Sequence, residues 1–306
     1  MIPNLVSILI PSRNETFLSK TIQDLLLNAT GQIEIIVVLE GYWPSPHKTA
    51  FWETPAIIED PRVIYLHREA RGMRDAINSA YAIAKGEWIM KCDAHTMWAK
   101  GFDEVLKRDC HKDWIMVPRR NRLEPEEWKI QDVGKPPIDY EYITVPGIPG
   151  AWGSLRGDKW NSRTVERMNK PEYMIDETPT VQGSAWFMHR DYFKQLELMD
   201  EKGYGIFYNE AQEYGLKAWL SGGKLMTNKH IWYAHLHKGK KYGRGYFIDK
   251  RDMVIGDRNI DKWLTNSAWP GKQTLPLSWL IEHFWPMPTW TPEALASIKK
   301  YDSVLL

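Results

Sequence analysis

An aspartate and a histidine stand close together in Asp93-Ala94-His95, directly after the apolar run Trp88-Ile89-Met90. A carboxylate oxygen and an imidazole nitrogen delivered together suit a divalent ion such as manganese. Isolated D-x-H triplets are common, and this one gains weight from its place. The apolar run predicts a buried strand, and the carboxyl ends of strands in open α/β sheets are where ligands bind. Groups suited to an anionic ligand lie nearby in the chain. Arg68, Arg71 and Arg74 flank the turn into the helix before that strand. Guanidinium matches phosphate geometry, although each arginine is equally read as a solvated surface charge. Glu210 and Glu213 open a helical stretch, where negative charge also favours the helix dipole.

The elements needed to position these groups alternate between strand and helix, as a parallel sheet requires. Leu5 to Ile10, Glu34 to Leu39, Val63 to Leu66 and Trp88 to Cys92 predict four strands, the last delivering Asp93. Phe17 to Leu27 and Met73 to Ala84 carry helical periodicity, the second with Ala76, Ile77, Ala80 and Ile83 on one face. Phe102 to Lys107 and Trp114 to Val117 predict one more helix and strand. Cys92 alternates to the face opposite Asp93 and reads as a packing residue.

From about Asn121 to Pro179, Pro and Gly accumulate and periodicity fades, while Tyr140, Tyr142, Trp152 and Trp160 are kept. Long irregular segments of compact domains are usually functional or disordered. Order returns with a strand around Ala185 to Met188 and helices over Asp191 to Leu198 and Glu210 to Leu220. Gly222-Gly223 offers a C-cap, and a strand pair carrying His230 and His235 follows. The remainder is a tail, basic from Lys238 to Arg251. The expected fold class is α/β, a mostly parallel central sheet flanked by helices. Residues 1–120 form its ligand-binding half and 121–240 the second half of the same domain, including an insertion at 121–179. Residues 241–306 form a C-terminal lid or tail.

Composition narrows the function classes. The chain has 306 residues, 43% hydrophobic and 26% charged, with a formal net charge of +1. That is an ordinary globular balance, with no global case for nucleic acid or an anionic membrane surface. Two cysteines, Cys92 and Cys110, give no disulfide framework and suit a reducing compartment. No run approaches the ~20 apolar residues of a membrane span, and Met1-Ile2-Pro3-Asn4 lacks the regions of a signal peptide. The expectation is a cytoplasmic protein. The tryptophan count is high, at 16. Core packing accounts for most, while Trp152 and Trp269, in Gly/Pro-rich loops, are candidates to stack on sugar rings or bases.

The strand-first half ending in D-x-H resembles the nucleotide-sugar-binding half of GT-A glycosyltransferases. Val6-Ser7-Ile8-Leu9-Ile10-Pro11-Ser12-Arg13-Asn14-Glu15 resembles the opening "VS-apolar-IP-x-x-NE" of family 2 enzymes. Glu34 to Gly41 is similar to their second strand, whose tip contacts uracil. Gly72-(x)3-Ala76-x-Asn78-x-Ala80 and Ala84-Lys85-Gly86-Glu87 match the helix and turn before the family's D-x-D. Two departures stand out. Leu39-Glu40 replaces an aspartate pair, leaving Glu40 as the acid for base or ribose, and D-x-H replaces D-x-D. That variant is characteristic of polypeptide N-acetylgalactosaminyltransferases. Pro179 to Phe193, with Gly183-Ser184 inside it, is similar to their "PT-x-x-GG" segment. Asn209 to Gly223 is similar to their "GEN-x-E" segment. Asn209 and Ala211 depart from that pattern and put the transferred sugar in question.

The resemblance, over roughly residues 1 to 240, implies a UDP-sugar donor with manganese or magnesium held by Asp93, His95 and His235. His230 and His237 remain rivals for the third position. It also implies donor contacts from Pro11, Arg13, Glu15, Glu40, Arg71, Arg74, Gly183 and Ser184. The basic stretch Lys238 to Arg244 resembles a mobile loop that closes over the diphosphate, giving Lys241 and Arg244 a binding role. A solvated tail is the alternative. Glu210, Glu213 and Arg74 are the catalytic candidates. In inverting relatives an acid here is the base; in retaining ones the leaving phosphate takes the proton. D-x-H inclines the reading to retention. A catalytically silent sugar-nucleotide-binding module and a nucleotidyltransferase are the competing classes, the latter opposed by the lack of a Gly-rich phosphate loop. The acceptor is left open among saccharide, protein and a hydroxymethylated DNA base, and oligomeric state is likewise open.

Overall fold

The computed structural model describes residues 1–41, 57–147, 154–243, 246 and 249–305. Trp152 and Arg244 lie outside the described residues, as does the side chain of Lys240.

Strand β1 (Ile2–Ser12) is buried from Leu5 to Ile10. Burial on both faces is what a central strand of a parallel sheet requires. Strand β2 (Ile33–Glu40), buried along its whole length, pairs parallel with β1, and β3 (Val63–Arg68) pairs parallel with β2. On the other side of β1, β4 (Gly86–Cys92) is again parallel. Helix α1 (Leu18–Asn28) buries the stripe Leu18, Ile22 and Leu25. Helix α2 (Met73–Ile83) buries Ala76, Ile77 and Ala80. Gly72 starts α2 at φ 107°, and a Cβ there would stand 2.5 Å from the Cβ of Ile206. Both the backbone and the space demand glycine.

Past β4 the chain enters β5 (Thr96–Trp98), α3 (Phe102–Asp109), β6 (Trp114–Glu124) and β7 (Lys129–Ile130). The strand expected to stop at Val117 therefore runs through Pro118 to Glu124. The expected irregular insertion is partly built from regular elements. It holds the hairpin of β8 (Glu141–Ile143) and β9 (Gly157–Lys159), then α4 (Asn161–Arg167) and β10 (Ile175–Glu177). Tyr140, Ile143 and Trp160 are buried in the main core.

Next come β11 (Ala185–His189), α5 (Arg190–Gln195), α6 (Glu210–Leu220) and β12 (Lys224–His235). Helix α5 ends before the expected Leu198, because Glu197 and Leu198 take left-handed φ of 62° and 56°. The expected strand pair after Gly223 is one strand, β12. Its register against β6 shifts between Asn228 and Trp232, a bulge rather than a turn. The last described elements are α7 (Gly239–Tyr242), α8 (Lys250–Asp261), α9 (Leu277–His283) and α10 (Pro292–Lys299). Trp263, Leu280, Phe284 and Trp290 join the same core. Trp269, expected as a stacking platform, is buried, its indole N–H on Glu197 at 2.7 Å.

The strand order is β10-β12-β6-β11-β4-β1-β2-β3, with β5 added to β12 and β7 to β6. Strand β11 runs antiparallel to both β4 and β6, and β12 runs parallel to β6. Strands β1, β2, β4 and β12 thus all end at one edge, bringing Ser12, Glu40, Asp93 and His235 to the same side of the sheet. Among the described residues, no helix is long and apolar enough to cross a membrane.

Candidate metal centre and cleft

Three elements converge on the D-x-H triplet. Strand β4 ends just before Asp93, whose backbone N–H is held by the Ser184 carbonyl at 2.9 Å. The turn into β5 carries His95. Strand β5 pairs antiparallel with the end of β12, setting Thr96 opposite His235. The two imidazole Nε2 atoms lie 3.1 Å apart, and Asp93 Oδ2 lies 3.3 Å from His235 Nε2 and 3.8 Å from His95 Nε2. The three ligand atoms fall within 4.8 Å of one another.

These residues fit a divalent ion. Ligands about 2.1 Å from an ion and at right angles stand about 3 Å apart, close to the separations found. Glu15 Oε2 accepts from His95 Nδ1 at 3.1 Å. That bond puts the proton on Nδ1 and turns the Nε2 lone pair toward Asp93 and His235, the carboxylate–imidazole arrangement of many metal sites. Burial pushes the His235 imidazole down to about 4 despite its bond to Asp93, so it stays neutral at pH 7. Burial alone would raise the Asp93 carboxyl. The Lys91 ammonium, then His235 and His95, bring it well below the usual range. His237, the rival ligand, makes a T-shaped contact with His235, ring centroids 5.1 Å apart, and is not part of the triad. His230 points elsewhere, its Nδ1 on Asp109 at 3.0 Å.

The triad lines a cleft of about 1050 Å³ together with Pro11, Arg13, Glu15 and Glu40. Arg13 lies over the Tyr246 ring, 5.1 Å from its centroid. Glu40 Oε1 accepts from the backbone N–H groups of Arg71 and Gly72 at 3.0 and 2.8 Å. Burial raises its carboxyl, and those two bonds oppose the shift. Lys238 Nζ grips both oxygens of Glu15 at 2.6 and 2.7 Å. Burial would raise the Glu15 carboxyl, but His95 and Lys238 hold it down.

Other expected residues do not line this cleft. Arg74 is buried against Glu213 and the Tyr208 carbonyl, with the Tyr204 ring under its guanidinium at 4.8 Å. A phosphate cannot reach it through those partners. Glu213 is also held by Lys217 at 2.8 Å. Glu210 has both oxygens engaged, by Lys91 Nζ at 3.1 Å and Trp186 Nε1 at 2.9 Å. Arg71 contributes its backbone while its side chain is exposed. Gly183 and Ser184 engage other residues instead, Gly183 through its carbonyl on Lys91 and Ser184 through its hydroxyl on Tyr233 OH at 2.7 Å. A Cβ at Gly183 would stand 2.6 Å from Glu210 Oε2. Lys241 is exposed and pairs with Glu126 at 2.5 Å, away from the cleft.

Sequence reasoning passed over Lys91 and Gln182, of which the second lines the cleft, as does Lys238 from the expected basic loop. For Lys91 a signal existed: a lysine inside an apolar strand, on the same face as Asp93.

The mostly parallel central sheet flanked by helices matches GT-A glycosyltransferase structures. The chain belongs to glycosyl transferase family 2, whose model matches residues 7–197. It is 27% identical over 174 residues to a probable N-acetylgalactosaminyltransferase 8 of Caenorhabditis elegans, covering 56% of this chain and 38% of that protein. A crystal structure of GalNAc-T7 with UDP, GalNAc and Mn2+ superposes with TM-score 0.62 at 17% identity, over 97% of this chain and 55% of that one. S. aureus TarS 1–349 in complex with UDP-GlcNAc gives TM-score 0.52 at 14% identity, over 86% and 67%. The chain thus spans about half the length of GalNAc-T7 and less of the worm relative.

Proposed function

We propose that the chain transfers a sugar from a UDP-sugar to an acceptor hydroxyl, using a divalent cation held by Asp93, His95 and His235. The observation that carries this reading is the convergence of the three ligand atoms in the lining of a large cleft. The relatives support it: GalNAc-T7 is seen with UDP and Mn2+, and TarS with UDP-GlcNAc. The bound ion would offset the charge that grows on the diphosphate as the glycosidic bond breaks. Glu15 keeps the His95 tautomer fixed, and Glu40 offers an acceptor to a base or ribose N–H or O–H. Arg13, in the cleft lining, adds positive charge beside the diphosphate, while Lys238 is held by Glu15.

Retention of configuration is part of the proposal. It is supported by the state of the two acids at the start of α6, whose oxygens are engaged by Lys91, Trp186, Arg74 and Lys217. Neither is free to take the acceptor proton, which leaves that role to the departing phosphate. A saccharide or protein acceptor is favoured over modified DNA. Of the basic residues after β12, Lys238 and Lys241 are each held by a glutamate, which weakens a positive groove. A cytoplasmic setting agrees with Cys92 and Cys110, both buried and unpaired. The test is a panel of UDP- and GDP-sugars with manganese, scored for donor hydrolysis and then for transfer with candidate acceptors. Hydrolysis of a UDP-sugar that stops with chelator and returns with manganese is expected. Hydrolysis of GDP-sugars alone, or full turnover in excess chelator, would overturn the reading.

A further inference from the structure

Lys91 lies on β4 among apolar neighbours, and its side chain is almost wholly shielded from solvent. Its ammonium meets three acceptors: Asp93 Oδ1 at 2.7 Å, the Gly183 carbonyl at 2.5 Å and Glu210 Oε2 at 3.1 Å. Three N–H donors face three oxygens, so the group is fully satisfied. The second Glu210 oxygen is taken by Trp186. Two carboxylates thus share one buried cation that belongs to the protein. A buried charge is tolerated only when paired in this way.

The geometry has two consequences for a divalent ion. With Oδ1 on Lys91, Asp93 turns only Oδ2 toward His95 and His235. An entering dication also meets a fixed positive charge on the far side of the same carboxylate, and in a poorly solvated site that repulsion is substantial. We propose that Lys91 is a built-in counter-cation. It holds Asp93 ready as a one-oxygen ligand when no metal is bound, and it lowers the affinity for the metal, keeping the ion exchangeable. This inference rests on the metal site proposed above.

The test measures Mn2+ binding directly, by the electron paramagnetic resonance signal of free Mn2+ in a titration without nucleotide, alongside thermal unfolding. Lys91→Met leaves two buried carboxylates without a cation. It is expected to melt at lower temperature than the wild type in chelator and to gain more from added Mn2+. The double variant Lys91→Met/Glu210→Gln removes one of the two orphaned charges and keeps the experiment usable if the single variant fails to fold. It is expected to bind Mn2+ tighter than the wild type by on the order of tenfold. A folded double variant with unchanged or weaker Mn2+ binding would overturn the role assigned to Lys91. A different result, no Mn2+ binding by the wild type or no loss in Asp93→Asn, would remove the metal site itself and the inference with it.

Discussion

Two clusters of polar residues meet across the Lys91 ammonium, and they differ in how many of their ligand atoms are already engaged. In the triad, Asp93 Oδ2, His95 Nε2 and His235 Nε2 face one another and the cleft. Behind them, Glu213 sits between Arg74 and Lys217, and Glu210 between Lys91 and Trp186. The residue types overlap. What separates a site from a scaffold is a set of partners supplied from other elements: Arg74 from α2, Lys91 from β4, Trp186 from β11. An acid with both oxygens engaged organises the fold, whereas Asp93 spends only Oδ1 on Lys91 and turns Oδ2, with two imidazole nitrogens, toward a ligand.

The sharpest way to break this contrast is to disable the open cluster. His95→Ala should lower turnover by more than about a hundredfold while the melting temperature stays within a few degrees, read by donor hydrolysis and calorimetry. A large loss of stability with turnover intact would reverse the roles of the two clusters. The closed cluster should behave oppositely. Glu213→Ala strands Arg74 and Lys217 in the interior, and removing one member of a buried ionic network costs about 3–5 kcal/mol. Denaturant unfolding should show that loss, and the fraction still folded should bind UDP with unchanged affinity.

A smaller effect is expected one shell outside the triad. Glu15→Ala frees His95 to change tautomer, so Mn2+ binding should weaken roughly 10- to 100-fold in a titration without nucleotide. No change would mean that His95 is oriented by packing alone. The smallest effect belongs to Lys241. Its pair with Glu126 is exposed, and such pairs contribute little. Lys241→Ala should leave both melting temperature and donor hydrolysis unaltered, and a marked fall in hydrolysis would return this lysine to the donor side.

The open cluster was largely legible in the sequence and the closed one was not. Asp93 and His95 announce themselves because both follow directly on one buried strand. Helix α6 is found at its expected limits, Glu210 to Leu220, since an acidic start and a glycine pair bracket it. Arg74 and Glu213 are 139 positions apart, and no local pattern says that they meet. Lys91 shared the face of Asp93, a local signal, but its other two partners, Gly183 and Glu210, lie far along the chain. The insertion concealed its short strands because β10 takes its partner from β12, far along the chain. Periodicity reports which face of an element is buried, and it is silent about the side chain across the gap.

Helix α6 is buried along its whole length, and part of what covers it is made last. Trp279 and Phe284, on and just after α9, pack on Trp219 with ring centroids 6.3 and 5.4 Å away. Trp290 reaches back to the Ile143 carbonyl at 2.8 Å. During synthesis, the strands that carry Asp93 and His235 leave the ribosome well before the segment that seals the helix behind them. Until it arrives, the nascent chain exposes an aromatic surface around Trp219, the kind of surface that recruits chaperones and invites aggregation. A ribosome-bound chain halted at residue 240 would therefore be far more sensitive to protease than one carrying all 306 residues.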